Sequence, residues 1–158
     1  MGTGKTTVGR LLAERLGFDF VDTDHLITAD HGPIPVIFAQ QGEAAFRAIE
    51  RATVKALAER TSAVIATGGR LMLDPTNAAI LGEHSRVFCL TAPTETILER
   101  VLGDGPAERP LLATDDPAAR IAELLAERAA AYGRFEQVAT AGRAPDAIVD
   151  DIIERLRS

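Results

Sequence analysis

A glycine-rich run near the N-terminus, followed at once by a helical pattern, constrains the fold of this chain more than any other feature. The run consists of Gly2, Thr3, Gly4, Lys5, Thr6 and Thr7. It matches the second half of the pattern G-x-x-x-x-G-K-[ST], in which backbone N–H groups and a lysine hold phosphate and a hydroxyl holds magnesium. Because the positive end of the next helix faces the same anion, the run predicts a nucleotide-phosphate site inside an α/β domain.

Helical and strand patterns alternate along the remaining chain, which is typical of a parallel sheet with crossover helices. Asp74-Pro75 and Asp116-Pro117 are typical of a helix N-cap followed by proline at the first helical position. No internal repeat, low-complexity tract or linker interrupts the pattern, so we expect a single domain over residues 1–158. We predict strands over 18–21, 63–66, 86–90 and 137–140, and helices over 5–16, 33–40, 42–59, 117–132 and 145–156.

Charge and cysteine content narrow the class of protein. The formal net charge is −6, so no broad basic surface is available for nucleic acid or for an anionic membrane. A small anionic substrate remains possible because it needs only a few placed arginines. The single cysteine, Cys89, cannot form an internal disulfide, which fits the reducing cytoplasm, and its apolar segment predicts a core position. No apolar run approaches the roughly 20 residues that span a bilayer. We therefore expect a cytoplasmic protein that binds neither nucleic acid nor membrane.

Two carboxylates, Asp22 and Asp24, follow the first apolar strand pattern and lie two residues apart. If the chain stays extended they share a direction, and strand ends in open α/β sheets face the ligand crevice. They could then serve magnesium and a substrate hydroxyl; the competing interpretation is a capping and turn pair ahead of the next helix. Gly68-Gly69 follows the next apolar strand pattern and either lets the backbone approach a ligand or forms a simple turn.

Taken in order, the strings of this chain resemble shikimate kinase, a family of small phosphate-loop phosphotransferases related in fold to adenylate kinase. The resemblance runs along the whole chain, whereas the phosphate loop alone would identify only the superfamily. The matching strings are Gly4-Lys5-Thr6, Phe20-Val21-Asp22-Thr23-Asp24, Gly42-Glu43 with Phe46-Arg47-Ala48-Ile49-Glu50, Gly68-Gly69, Arg109-Pro110-Leu111-Leu112, Arg128 with Tyr132, and Arg143 with Pro145.

The resemblance implies a fold and a reaction. The fold is the α/β, three-layer P-loop kinase fold, in which helices flank a parallel sheet. The reaction is ATP-dependent phosphorylation of a hydroxyl on a small carboxylic acid, most specifically shikimate to shikimate 3-phosphate in aromatic amino-acid biosynthesis. ATP would be the co-substrate, Mg²⁺ the metal ion and the monomer the working form. The acceptor-binding segment would cover about residues 24–60 and a lid about residues 103–115.

The resemblance also implies catalytic and metal-binding roles by position. Lys5 and Arg109 would neutralise the transferring phosphoryl group, with Arg109 arriving as the lid closes. Thr6 and Asp22 would position Mg²⁺, Asp22 through water. Asp24 would hold the acceptor hydroxyl and favour loss of its proton.

Further positions would bind the two substrates. On composition alone the arginines among them would be solvated surface charges. The resemblance implies that Arg47 and Arg128 grip the substrate carboxylate, for which a fork-shaped cation is suited. The backbone of Gly68-Gly69 would line the same pocket. Arg143 and Pro145 would belong to a loop on the adenine side of ATP.

The chain departs from the family pattern in two places. Arg70 stands where the family has a third glycine, and a long cation there could crowd shikimate, add an anion contact or point away. The first glycine of the phosphate loop and the first, central strand of the sheet would lie upstream of Met1. We therefore expect that strand to be absent from this chain and the natural protein to begin earlier. The chain as written would then be unstable, or would rearrange its sheet, and would bind ATP poorly.

Three functional hypotheses follow from these residues. The leading one is shikimate kinase. The second is a related kinase that phosphorylates another polyhydroxy acid. Arg70 is the residue that discriminates this hypothesis from the first. The third is a catalytically weak nucleotide-binding homologue. The incomplete phosphate loop favours it, and the retained Lys5, Asp22, Asp24 and Arg109 oppose it.

Overall fold

The computed structural model of this protein describes residues 2–103 and 116–158. Helices and strands alternate there as the sequence predicts, and the α/β class with parallel strands is confirmed. The strands are β1 (Asp19–Asp22), β2 (Ala63–Ala66), β3 (Phe88–Thr91) and β4 (Glu136–Ala139). The helices are α1 (Lys5–Leu16), α2 (Thr23–His31), α3 (Ile34–Ala58), α4 (Pro75–His84), α5 (Thr94–Gly103), α6 (Pro117–Tyr132) and α7 (Pro145–Arg157), and a short 3-10 helix covers Leu71–Leu73.

The described residues divide into two compact units, each with its own pair of parallel strands. One unit lies within residues 9–87, where β1 pairs with β2 from Asp19 opposite Ala63 to Asp22 opposite Ala66. The other lies within residues 1–8 and 88–158, where β3 pairs with β4 from Phe88 opposite Glu136. The strand that the sequence interpretation places upstream of Met1 stays a prediction, as does the single domain over the whole chain.

Each unit has an apolar core that is mainly aliphatic. In the first, Ile27, Ile37 and Phe46 pack together in one buried cluster. In the second, the corresponding cluster is Ile97, Val101 and Ile121, which joins α5 to α6. Cys89 was expected in the core, but it lies in β3 as a free, only partly buried cysteine.

The predicted helix starts are confirmed at two capped positions. The Asp74 carboxylate accepts from the Thr76 N–H at 2.8 Å, and Pro75 follows as the first helical residue. The Asp116 carboxylate accepts from the Ala119 N–H at 2.9 Å, and Pro117 follows in the same way. In both cases a side-chain oxygen satisfies an N–H group that has no partner inside the helix.

α3 contains the two helices that the sequence predicts on either side of residue 41. Gly42 has φ 83° and ψ 172°, so the helical path breaks there and two helical segments meet at a kink. The break separates the first turns of α3 from the segment that carries Arg47. None of the helices in residues 2–103 and 116–158 combines the length and apolar character needed to cross a membrane.

Candidate active site

The glycine-rich loop ends where α1 begins. Gly2 and Gly4 both have positive φ, 64° and 88°, a conformation that glycine adopts without steric cost. Gly2 is also tightly packed, because a Cβ there would lie 3.0 Å from Ile97 Cγ2 and 3.2 Å from the Ile97 carbonyl oxygen. The Val8 N–H donates to the Gly4 carbonyl at 2.9 Å, so the loop runs directly into the first helical turn. Glycines in these two places let backbone N–H groups surround an anion.

Lys5 is the first residue of α1 and is partly exposed, while Thr6 and Thr7 beside it are exposed. The first turn of α1 contains no acidic residue. A cation at the positive end of a helix is unfavourable unless an anion lies nearby. The combination of Lys5, the helix end and the glycine conformations therefore suits an anionic ligand such as the phosphates of a nucleotide.

Arg100 of α5 ties this loop to the chain after β4, a connection that the sequence interpretation did not foresee. Its Nη1 donates to the Gly2 carbonyl at 3.2 Å and to Thr140 Oγ1 at 2.9 Å, and its Nη2 donates to the Thr140 carbonyl at 2.9 Å. The buried Thr140 hydroxyl in turn donates to the Thr91 carbonyl at the end of β3. No sequence motif marks partners that lie 40 and 98 positions apart.

The conformation of the chain at Asp22 contradicts one expectation about the two carboxylates. The chain does not stay extended after β1, because α2 begins at Thr23. Asp22 Oδ1 instead accepts from the N–H groups of Asp24 and His25, at 3.0 and 3.2 Å, and so caps α2. The capping interpretation is therefore realised, and Asp22 and Asp24 do not project side by side from one strand.

Asp24 lies against the turn that follows β2. A Cβ on Gly68 would overlap with Asp24 Oδ1, so a side chain there would displace that carboxylate from its position. The Gly68 N–H donates to Thr23 Oγ1 at 2.8 Å, which fixes the turn to the start of α2. The Leu71 N–H donates to the Gly68 carbonyl at 3.2 Å, which closes the turn. The structure thus brings Asp24 and Gly68 together, and Gly69 lies in the same turn.

Arg70 occupies the third position of this turn with φ −120° and ψ −6°. Those angles are open to residues with a side chain, so the backbone does not require glycine there. The Arg70 side chain is exposed. An arginine is therefore accommodated at this position without backbone strain.

Arg47 of α3 is held by two acidic side chains of the same helix. Its Nη1 lies 2.6 Å from Glu50 Oε2, and its Nε and Nη2 donate to Glu43 Oε1 at 3.3 and 3.1 Å. Burial lowers the pKa of Arg47, but its hydrogen bonds to Glu50 and Glu43 outweigh burial, and the pKa is raised overall. Three of five guanidinium N–H groups are engaged, so one remains on each terminal nitrogen for a further anion.

Glu50 is the buried member of this group, with 4% of its side chain exposed. Burial raises its pKa above the ordinary range, the Arg47 hydrogen bond and charge oppose that rise, and the charges of Asp24 and Asp74 add to it. Asp24, Glu50 and Arg47 are therefore electrostatically coupled.

The remaining predicted residues lie in the second unit or outside the described residues. Arg128 lies on α6 and is partly exposed, four residues before Tyr132 at the end of that helix. Arg143 follows β4, and Pro145 is the first residue of α7. Arg109 and the predicted lid, apart from Gly103, fall outside the described residues.

No group of three or more His, Cys, Asp or Glu side chains that could hold a metal ion occurs within the described ranges 2–103 and 116–158. Mg²⁺ does not need such a group, because it commonly keeps several waters and binds one or two protein oxygens together with substrate phosphates. The Thr6 hydroxyl and the Asp22 carboxylate are hard oxygen donors of the kind it prefers. Each oxygen is therefore of the chemical kind that Mg²⁺ accepts alongside substrate phosphates.

Comparison with known proteins gives one consistent family. The sequence model of the shikimate kinase family matches residues 1–157. A shikimate kinase from Symbiobacterium thermophilum is 43% identical over 160 residues, covering 99% of this chain and 92% of that protein. One from Halorhodospira halophila is 44% identical over 99% of this chain and 89% of that protein. The structure of shikimate kinase from Acinetobacter baumannii in complex with shikimate matches with a TM-score of 0.89 and 36% identity, over 99% of this chain and 88% of that one.

Proposed function

The chain belongs to the shikimate kinase family, and from this premise we propose how its residues carry out the family's reaction. It is a phosphotransferase with an alcohol acceptor and uses ATP as co-substrate. The γ-phosphoryl group of ATP passes to a hydroxyl of shikimate, which becomes shikimate 3-phosphate, a step of aromatic amino-acid biosynthesis. The single observation that carries this conclusion is the family match over residues 1–157, nearly the whole chain.

The phosphates of ATP are bound by residues 2–7. Positive φ at Gly2 and Gly4 and the start of α1 at Lys5 support this assignment. Lys5 stabilises the charge that spreads over the phosphoryl oxygens during transfer, and Arg109 adds a second cation. Thr6 and Asp22 would hold Mg²⁺, which when bound neutralises phosphate charge.

The acceptor is bound around the turn after β2. Asp24, whose carboxylate lies against Gly68, accepts the hydroxyl proton and orients the attacking oxygen. Arg47 binds the acceptor carboxylate through the N–H groups that Glu43 and Glu50 leave unused, and Arg128 is the second cation of that clamp. The Gly68 and Gly69 backbone lines the pocket, because neither residue has a side chain that would occupy it.

Localisation, partners and oligomeric state follow from composition and from the roles assigned above. The single cysteine and the negative net charge support a cytoplasmic enzyme that binds neither nucleic acid nor membrane. We also infer a single functional domain and a monomer, because all the roles above are assigned within one chain. Size-exclusion chromatography with light scattering tests the monomer, and a dimer at working concentration would contradict it.

An assay of ADP release with a panel of acceptors tests the function. Shikimate should be phosphorylated with Mg-ATP, and other polyhydroxy carboxylic acids should react far more slowly. Arg70→Gly is the informative variant. If the Arg70 side chain enters the acceptor pocket, its removal should shift relative kcat/KM towards shikimate. An unchanged acceptor profile would mean that Arg70 points to solvent. Preference for another acid would favour a related kinase, and absence of turnover with retained ATP binding would favour a catalytically weak homologue.

A further inference from the structure

One carboxylate of α7 organises the chain that follows β4. Asp151 Oδ2 lies 2.9 Å from Arg143 Nη1, and Asp151 Oδ1 lies 2.6 Å from Arg155 Nε. Arg155 also donates to the Gln137 carbonyl of β4 at 3.0 Å. Asp151 therefore links Arg143 to α7 and, through Arg155, to β4.

Arg143 is held by backbone oxygens as well. Its Nη1 donates to the Ala139 carbonyl at 3.1 Å, and its Nη2 donates to the Ala147 carbonyl at 2.8 Å. Together with Asp151, these acceptors engage both terminal nitrogens of the guanidinium group, which fixes its plane. The two carbonyls can hold the position of the group, but they carry no charge, and the Asp151 carboxylate is the anion that pairs with Arg143.

We propose that Asp151 is a positioning residue of the ATP site, which fixes the guanidinium plane of Arg143 so that its flat face can stack on the adenine ring. This rests on the proposed function and on the expectation, implied by the family resemblance, that Arg143 belongs to the adenine side of ATP. A planar, delocalised cation stacks on flat π-systems, and a fixed plane lessens the entropy lost on binding. Asp151 itself acts through Arg143 and does not contact the nucleotide.

Two further observations agree with this role. The hydrogen bonds from Arg155 and then from Arg143 lower the pKa of Asp151, so the carboxylate is ionised wherever the enzyme works. The same segment is anchored independently at Thr140, which receives two hydrogen bonds from Arg100. Arg100 also reaches Gly2 of the phosphate loop, so both ends of the proposed nucleotide site are tied to the residues after β4.

The test compares Asp151→Asn with Glu154→Gln, which removes the same charge from an exposed position on the same helix. Asp151→Asn should raise KM for ATP and the Kd of ADP about 2- to 10-fold, the effect of one lost hydrogen bond. KM for shikimate and kcat should stay unchanged, and Asp151→Glu should restore part of the affinity. Glu154→Gln should change none of these values.

A double-mutant cycle separates positioning from general stability. In an Arg143→Ala background, Asp151→Asn should cause no further loss of ADP affinity, because the group that it positions is gone. Additive losses, an unchanged Kd in the single variant, or parallel loss of kcat, both KM values and thermal stability would overturn the proposal. ADP titration needs no turnover, so a chain that binds ADP normally but fails to phosphorylate shikimate would refute the proposed function and leave this test intact.

Discussion

Lys5 lies at the N-terminal end of α1, where a cation is unfavourable unless an anion is bound nearby. Lys5→Ala should lower turnover by orders of magnitude, because electrostatic contacts to the transferring group are typically worth several kcal/mol. Steady-state kinetics with Mg-ATP and shikimate measures this. The chain has one other lysine, Lys55, which is exposed near the end of α3 and provides a matched control as Lys55→Ala. A near-normal rate for Lys5→Ala would contradict the phosphate role.

Glu50 predicts how stability depends on pH. Because burial raises its pKa, the folded chain holds this proton more tightly than the unfolded chain does. The contribution of Glu50 to stability is then largest in acid, declines as pH rises from about 4.3 to the raised folded value, and is constant above it. The free energy of unfolding of the unmodified chain minus that of Glu50→Gln should decrease over this window.

Urea unfolding at a series of pH values measures that difference. Glu43→Gln is the control, since Glu43 is the exposed ion-pair partner of Arg47. This variant loses an ion pair but keeps the buried acid Glu50, so it separates the two effects. A difference between the unmodified chain and Glu50→Gln that stays flat or grows with pH would refute the interpretation.

At the scale of elements, the break in α3 depends on one residue. Gly42 has φ 83°, and a Cβ there meets nothing within 4 Å, so any cost of substitution comes from the backbone alone. Gly42→Ala should destabilise the protein by about 1–3 kcal/mol, because φ 83° with ψ 172° lies in a backbone region that is essentially confined to glycine. Gly82, inside α4 with similar open space, is the matched control, where Gly82→Ala should stabilise by about 0.5–1 kcal/mol. Equal effects of the two substitutions in urea unfolding would contradict the argument.

Local chemistry explains which elements could be predicted from the sequence. The start of α4 and of α6 follows from an aspartate cap and a proline, and α1 ends before Gly17, whose φ is 67°. The sequence left two interpretations of Asp22 open, an extended chain and a helix cap, and in the structure its side chain caps α2. A residue that can either extend a strand or cap a helix is resolved only by the tertiary position of its neighbours.

The sequence did not predict those contacts of the candidate site whose two residues lie far apart in the chain. The glycine-lysine loop and the Arg47 segment are local motifs, so their residues could be named from the sequence. The contact between Asp24 and Gly68 and the bonds from Arg100 to Thr140 join residues 40 or more positions apart. Spacing along the chain carries no signal for such pairs, and only the folded arrangement of strands and helices brings them together.

At the scale of the whole molecule, the division into two compact units makes the single-domain prediction testable. The boundary falls inside α1, between Val8 and Gly9. Helix formation is cooperative, so loss of one unit should remove part of the helix that belongs to the other. We therefore expect one all-or-none unfolding transition, as is usual for a chain of about this size.

Two fluorescent probes report on the units separately. Tyr132, the one tyrosine of a chain without tryptophan, lies in the second unit, and Phe18→Trp places a probe at an exposed position of the first. Both signals should give the same urea midpoint, with circular dichroism confirming that Phe18→Trp leaves the midpoint unchanged. ADP at about 100 times its Kd should raise both free energies of unfolding by about 2.7 kcal/mol. Separate midpoints, or stabilisation by ADP of the Tyr132 signal alone, would show that the units unfold as independent domains.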